Sequence, residues 1–474
     1  MLKDKKSLLI FLVFLPVTLV YSYLIAKYTT LGYIAALMSI FGAIVFFFIL
    51  KNPFLGLLMV IFTLPFERLP TYDIGFFTLK LDQIFAGMTI ISWILSVLTE
   101  RKKIMSYPIG WPLIIFFFIV FLSTIFAVDF SRAVSVFIFT LFMAIVSVVA
   151  VNLIDSREKL MTLVRWLLVS AIVVTVFGLY QFLGDVVGLP IEFTGLKDIY
   201  TKAVLGFPRI QAFSMEPLYF ANYLFIPLGI VAAIFFFKNK EAINVKTQII
   251  ILLLIITNII LGISRGAYIA LVFFATFFLI FLAKKTITIK NFFIGSFVIL
   301  FIAVSAYTFL SISRPDAVEK FTQHAQVEDF ARGESVQKRL KDYEKAIIFW
   351  LESPIIGIGL GNYGPRYENY PAHDSVSDWE IVNNQYLESL TETGVLGLFF
   401  LILIIFIIFA RSIIAYFKTK DTFLRAIMFG LMAALVAVLV QYNFFSTLYI
   451  MHIWILFALM IATQNIIFLS RKSI

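Results

Sequence analysis

The stretch LGISRGAYIAL, residues 261 to 271, sets Arg265 inside an apolar run that extends from 249 to 283. An ionised guanidinium at the bilayer centre costs roughly 2.5–3.5 kcal/mol on insertion scales, so such residues usually face a cavity or a charged ligand. Two further segments carry groups suited to related chemistry. In GFPRIQAFSMEPLYFANYL (206–224), Arg209 and Glu216 precede an apolar run, and Pro217 suits the first turn of a helix. Glu216 then occupies the cap, where the helix dipole favours a carboxylate; near a membrane interface it is also placed to deprotonate a hydroxyl. In ESVQKRLKDYEKAIIFWLES (334–353), Val336, Leu340, Tyr343, Ile347 and Trp350 recur at three- and four-residue spacing, which predicts one apolar helix stripe. Arg339 borders that stripe, with Lys338, Lys341 and Lys345 on the opposite, solvated side. Such a helix can lie on the membrane surface and aim Arg339 into a cavity beneath it. Each feature has a plainer explanation: a snorkelling arginine for Arg265, a surface ion pair for Arg339, capping alone for Glu216.

Other motifs carry less. Gly359-Leu-Gly361-Asn-Tyr-Gly364 matches G-x-G-x-x-G, but no βαβ unit surrounds it, so a dinucleotide site is rejected in favour of a tight structural turn. The three histidines, His324, His373 and His452, show no zinc-ligand spacing, and no D-x-D motif stands in an early outer loop to hold a metal with a diphosphate. His373 is a second candidate base, or an ordinary exposed loop histidine; His452, within the last apolar run, fits a satisfied interhelical group. The chain has no cysteine, which removes disulfides, thiolate metal sites and thiol nucleophiles.

The elements that must position these groups are membrane helices. Of 474 residues, 61% are hydrophobic and only 14% charged, which specifies a polytopic helical membrane protein of all-α class. Apolar runs at 7–26, 31–50, 54–65, 83–98, 111–127, 132–154, 160–183, 217–237, 246–262, 266–283, 292–310, 394–417, 423–440 and 445–469 predict about 12–14 transmembrane helices. The net charge of +10 reports topology and not nucleic acid, because the basic residues fall in alternate loops. Those loops are then cytoplasmic, as are both termini, with the first helix retained and no signal peptide removed. The run from 249 to 283 would be roughly 50 Å long as one helix, well beyond the ~30 Å hydrocarbon core, so it must turn at Ser264-Arg265-Gly266. Each arm is slightly short, which puts Arg265 at or just below the outer interface. An extracytoplasmic loop of about eighty residues, 311–393, carries half of the 28 acidic side chains and is expected to contain amphipathic helices. It separates central helices (184–310) from C-terminal ones (394–474), behind an N-terminal set (1–183).

In combination, GISRGAYIAL, the Arg339 helix followed by SPIIGIGLGNY, and NNQYLESLTETGVLGL (383–398) resemble the O-antigen ligase and polymerase superfamily of bacterial envelope glycosyltransferases. The likeness covers roughly the C-terminal half. It implies glycan transfer from an undecaprenyl diphosphate carrier to a saccharide hydroxyl, such as a glycan or lipid A-core acceptor, at the periplasmic face of the inner membrane. No metal, cofactor or nucleotide sugar is implied. Arg265 and Arg339 correspond to the family's essential arginines. The family histidine falls on Asn383, which cannot act as a base, so weight shifts to Glu216, with His373 behind it.

The residues suit that chemistry. Arginine forks neutralise a departing diphosphate through bidentate hydrogen bonds and stay charged in a low-dielectric cavity. The expected roles are Arg265 and Arg339 on the diphosphate, Arg209 as a supporting cation, and Glu216 as base for a one-step inverting attack. Asn383, Asn384 and Gln385 would orient sugar hydroxyls, Tyr386 would offer a stacking face, and Tyr343 would line the site from the loop helix. Two alternatives stand: a polymerase of the same superfamily, and a non-enzymatic flippase or exporter for the lipid-linked glycan. A flippase needs charges along a path through the membrane, whereas these residues gather at one face.

Overall fold

The computed structural model describes residues 40–68, 71–73, 78–100, 104–282, 334–367, 380–446 and 448–469. The apolar runs at 7–26 and 292–310, together with His324 and His373, lie outside the described residues. The remaining runs form helices: α1 (Ile40–Lys51), α2 (Pro53–Thr63), α3 (Leu81–Glu100), α4 (Gly110–Ile125), α5 (Phe130–Leu153) and α6 (Arg157–Val187). Two single turns follow, α7 (Ile191–Thr194) and α8 (Lys202–Leu205). Then come α9 (Pro217–Phe236), α10 (Val245–Leu261), α11 (Arg265–Leu282), α12 (Glu334–Glu352), the short α13 (Tyr363–Tyr367), α14 (Gln385–Lys418), α15 (Thr422–Gln441) and α16 (Met451–Leu469). Among the described residues, α3, α5, α6, α9, α14, α15 and α16 are long and apolar enough to cross a membrane. One small exception to the all-α pattern is an antiparallel ribbon of β1 (Thr71–Asp73) and β2 (Thr78–Lys80), with Thr71 opposite Lys80.

Contacts divide the chain into two units, 1–56 with 87–102 and 57–86 with 103–474. In the first, Ser92 Oγ donates to the Ile49 carbonyl at 2.7 Å. The second holds every site residue discussed below. Its centre is the crossing of α9 and α15, where Gly229 and Gly430 meet backbone to backbone and a Cβ on either would strike the other's carbonyl. Small residues allow such an approach where lipid gives no hydrophobic drive for helices to associate. Around this crossing α16 is buried along nearly its whole length. His452 Nε2 lies 2.6 Å from Asn222 Oδ1, and Asn222 Nδ2 donates to Gln441 Oε1 at 2.6 Å, so one polar chain ties α16, α9 and α15; the histidine is interhelical as expected, but only one of its ring nitrogens is satisfied.

Helix ends within a membrane protein need partners for their free N–H groups. Ser156, Asn244 and Asp421 cap α6, α10 and α15 at one end of this unit. There Arg157 pairs with Glu241 and, at 2.7 Å, with Asp421, drawing together the turns that carry Lys159, Lys238, Lys240, Lys418 and Lys420. Among the described residues of this unit, these basic turns lie together at one end. At the opposite end lie the turns 188–216, 262–264 and 442–450 and the first two turns of α14. The apolar run from 249 to 283 breaks there as predicted: α10 ends at Leu261, α11 starts at Arg265, and Tyr268 Oη closes the turn on the Ile260 carbonyl at 2.6 Å.

Candidate functional site

Arg265 is the first residue of α11, half-buried, with its charge at the positive end of the helix dipole. A cation there is disfavoured unless an anion shares the site, and the free N–H groups of a helix start are anion donors. Gly266 packs against the Phe444 ring so closely that a Cβ would press on it. The guanidinium of Arg339, on α12, lies 6.0 Å from the centroid of the same ring. One turn on, Tyr343 Oη donates to the Asn443 carbonyl at 2.9 Å. The chain reversal after α15 thus carries both α12 and the start of α11. Below it, Ile269, Phe273, Val436, Leu439, Val440, Asn443 and Phe444 line an open apolar groove of about 410 Å³ between α11 and α15.

The orientation of α12 differs from the sequence expectation. Leu340 and Ile347 of the predicted stripe are exposed, together with Ile348 and Leu351, while Asp342 and Ala346 are buried. Lys338 pairs with Glu380 at 2.8 Å and Lys345 sits over the Tyr367 ring, so neither lysine is simply solvated. The larger aliphatic residues of α12 thus face away from the protein, while Asp342 and Ala346 face inward, with Tyr343 and Phe349 packed beside them. The side chain of Val336 lies outside the described residues. Asp342 is fully buried and neither carboxylate oxygen has a hydrogen-bond partner. Burial raises its carboxyl above the usual range; Glu380 pushes the same way, and Lys338, Lys345 and Arg339 oppose.

Arg209 joins the turn of Arg265 from the other side. Its Nε donates to the Gly262 carbonyl at 3.3 Å, the Ile210 N–H reaches the Leu261 carbonyl at 3.2 Å, and the guanidinium covers the Tyr200 ring at 5.5 Å. Burial lowers the Arg209 guanidinium and the like charge of Arg265 adds to that, against Tyr200, Tyr268 and Glu216. Glu216 holds the N-cap position of α9, as the sequence predicts, yet its side chain makes no cap bond and is exposed.

Asn383 adopts φ 55°, a left-handed conformation that Asn and His tolerate better than most side chains. Its neighbours turn inward. Asn384 caps α14 by accepting from the Tyr386 and Leu387 N–H groups. Gln385 is buried, donating to Ser389 Oγ at 3.1 Å and accepting from the Leu448 N–H at 2.8 Å. Tyr386 Oη donates to the Leu439 carbonyl at 2.9 Å and its ring meets Tyr442 edge to face. These contacts give Gln385 and Tyr386 a part in fixing the chain reversal after α15, while Asn384 fixes the start of α14.

Sequence reasoning missed the most heavily bonded group here. Glu388 and Glu392, one turn apart and both buried, share Tyr449 Oη at 3.1 and 3.2 Å. Glu388 also accepts from Ser446 Oγ at 2.7 Å, and Glu392 accepts from the N–H groups of Gly361 and Tyr363. Arg132 donates from Nε to the Gly361 carbonyl, and Asn362 clasps the backbone of Asp129. The glycine-rich segment is therefore a structural turn wrapped on Glu392, with Gly357, Gly359 and Gly361 all at positive φ. The i, i+4 acidic spacing inside an otherwise uncharged segment was the available signal. Among the described residues no group of three His, Asp or Glu is placed to hold a metal ion.

Residues 250–402 match the family model described as O-antigen ligase. That span takes in Arg265, Arg339, Tyr343, Asn383 to Tyr386, Glu388 and Glu392; Arg209 and Glu216 precede it. No curated protein matches the chain. The match supports the O-antigen ligase superfamily and an O-antigen ligase or polymerase type of function in general. With the seven long apolar helices, it indicates a multi-pass bacterial membrane protein whose substrates are glycans.

Proposed function

We propose that this protein transfers a glycan from an undecaprenyl diphosphate carrier to a saccharide hydroxyl, with the site on the periplasmic face of the inner membrane. The observation that carries this reading is the junction at Phe444. The Arg339 guanidinium lies over this ring, Gly266, the residue after Arg265, packs against it, and the ring also lines an apolar groove between α11 and α15. A cationic recess above an apolar channel fits an amphiphile with an anionic head and a hydrocarbon tail.

In this mechanism Arg265 and Arg339 hold the diphosphate and offset the charge that develops as the anomeric C–O bond breaks. The N–H groups at the start of α11 add to that field. Arg209, tied to the same turn, supports them. The acceptor hydroxyl attacks the anomeric carbon from the opposite face and passes its proton to Glu216, whose carboxylate is unspent on capping. Asn383 lies at the entry to α14 with a side chain able to bond a sugar hydroxyl, and His373 is the second candidate base.

Purified protein reconstituted with an undecaprenyl diphosphate glycan and candidate acceptors tests the reading, with and without chelator. Carrier release coupled to glycan transfer is expected in both conditions. Release of no carrier with any acceptor would falsify it. A ligase-type acceptor is the primary reading; growth of a carrier-linked glycan with no other acceptor present identifies a polymerase instead.

A further inference from the structure

The segment carrying Arg209 and Glu216 is fixed from outside by residues 66–68. Arg68 donates its N–H to the Phe213 carbonyl at 3.0 Å and its Nη1 to the Gly195 carbonyl at 3.1 Å. Phe66 stacks on Phe213 with centroids 4.9 Å apart. Between them Glu67, only 3% exposed, accepts from the Met215 N–H at 3.1 Å. Met215 immediately precedes the N-cap of α9, so Glu67 supplies a carboxylate where a helix start favours one, and where Glu216 makes no cap bond.

We infer that Glu67 is a positioning residue: by holding the Met215 backbone it sets the place of the Glu216 carboxylate and leaves that carboxylate available to an acceptor hydroxyl. The inference rests on the transferase reading for its effect on rate, though not for its effect on the backbone. Burial raises the Glu67 carboxyl, against Lys80 and the Met215 hydrogen bond. A neutral acceptor oxygen serves the Met215 N–H as well, which makes Glu67→Gln the conservative replacement.

The test compares Glu67→Ala, Glu67→Asp and Glu67→Gln in the full-length protein in detergent or liposomes. Hydrogen exchange is followed over a peptide spanning 206–216, and initial rates are measured with undecaprenyl diphosphate glycan. In Glu67→Ala the Met215 amide is expected to exchange faster and kcat to fall roughly 10- to 100-fold, with the donor KM within about threefold. Glu67→Asp, too short to reach, is expected to follow in the same direction, and it replaces Glu67→Ala should that variant not fold. Glu67→Gln is expected to restore both exchange and kcat to near wild type. Exchange and kcat unchanged in Glu67→Ala and Glu67→Asp overturn the inference, as does a Glu67→Gln variant as impaired as Glu67→Ala. If the wild-type protein transfers no glycan, the transferase reading fails, and the exchange comparison alone still decides whether Glu67 holds this segment.

Discussion

Arg339 and Gly266 both meet one side chain, the guanidinium 6.0 Å from the Phe444 centroid and the glycine backbone packed against the ring. In the proposed mechanism Arg265, the neighbour of Gly266, and Arg339 both act on the diphosphate. Arg265→Ala and Arg339→Ala are each expected to lower kcat by about 10²–10³, the usual cost of losing one preorganised donor to a developing anion. Arg265→Lys keeps the charge but loses the fork, and should recover only part of the rate. Carrier release in proteoliposomes measures all three. Wild-type rates in both alanine variants would remove these residues from the site.

Glu216→Gln keeps size and polarity and removes the base. A loss of about 10²–10⁴ in kcat is expected, with the acid limb of the pH–rate profile abolished. The pH–rate profile of the variant is the informative measurement, since a base elsewhere, His373 included, leaves that limb in place.

Burial of Asp342 is expected to make the stability of α12 docking pH-dependent. Its carboxyl is raised in the folded protein by burial, so the folded state binds the proton more tightly than the unfolded chain does. The stability it contributes is complete below the ordinary carboxylate range and declines as pH rises through the folded-state value. Melting temperatures in detergent should therefore fall on going from acid to neutral pH. Asp342→Asn should flatten that slope and melt higher at neutral pH. An unaltered slope in the variant counts against the assignment.

At the α9–α15 crossing, Gly229→Ala and Gly430→Ala each drive a methyl into a backbone carbonyl that cannot move aside. Overpacking of this kind costs about 1–3 kcal/mol. Gly42→Ala on α1, where a Cβ meets open space, should instead be neutral or gain up to about 1 kcal/mol. Thermal unfolding of the three variants side by side separates crowding from a general intolerance of alanine.

Much of this architecture could be read from apolar run length and charge alternation. The break of the 249–283 run, the N-cap position of Glu216 and the interhelical place of His452 all follow from local rules about bilayer thickness, helix starts and buried polar groups. The face of α12 did not follow, because a hydrophobic stripe marks the protein core only where the alternative is water. On α12 Leu340 and Ile347 point away and Ala346 and Asp342 pack inward. The Glu388–Glu392–Tyr449 group was equally hidden. Its members come from α14 and the turn before α16, and its partners Gly361 and Arg132 are brought in by long-range contacts that no periodicity announces. Glu67 lies in a short segment with nothing in its own sequence to mark it; only its tertiary partner, Met215, gives it meaning.

Gly394, at φ 69°, interrupts α14 so that Val395 and Leu396 find their acceptors in the carbonyls of Pro354 and Ile355. The chain that follows α12 thus serves as the starting cap of a membrane helix some forty residues further along. The intervening region is therefore no detachable module. A chimera that exchanges it with a relative's must carry the first turns of the following helix along, or it strands amide donors where lipid cannot satisfy them.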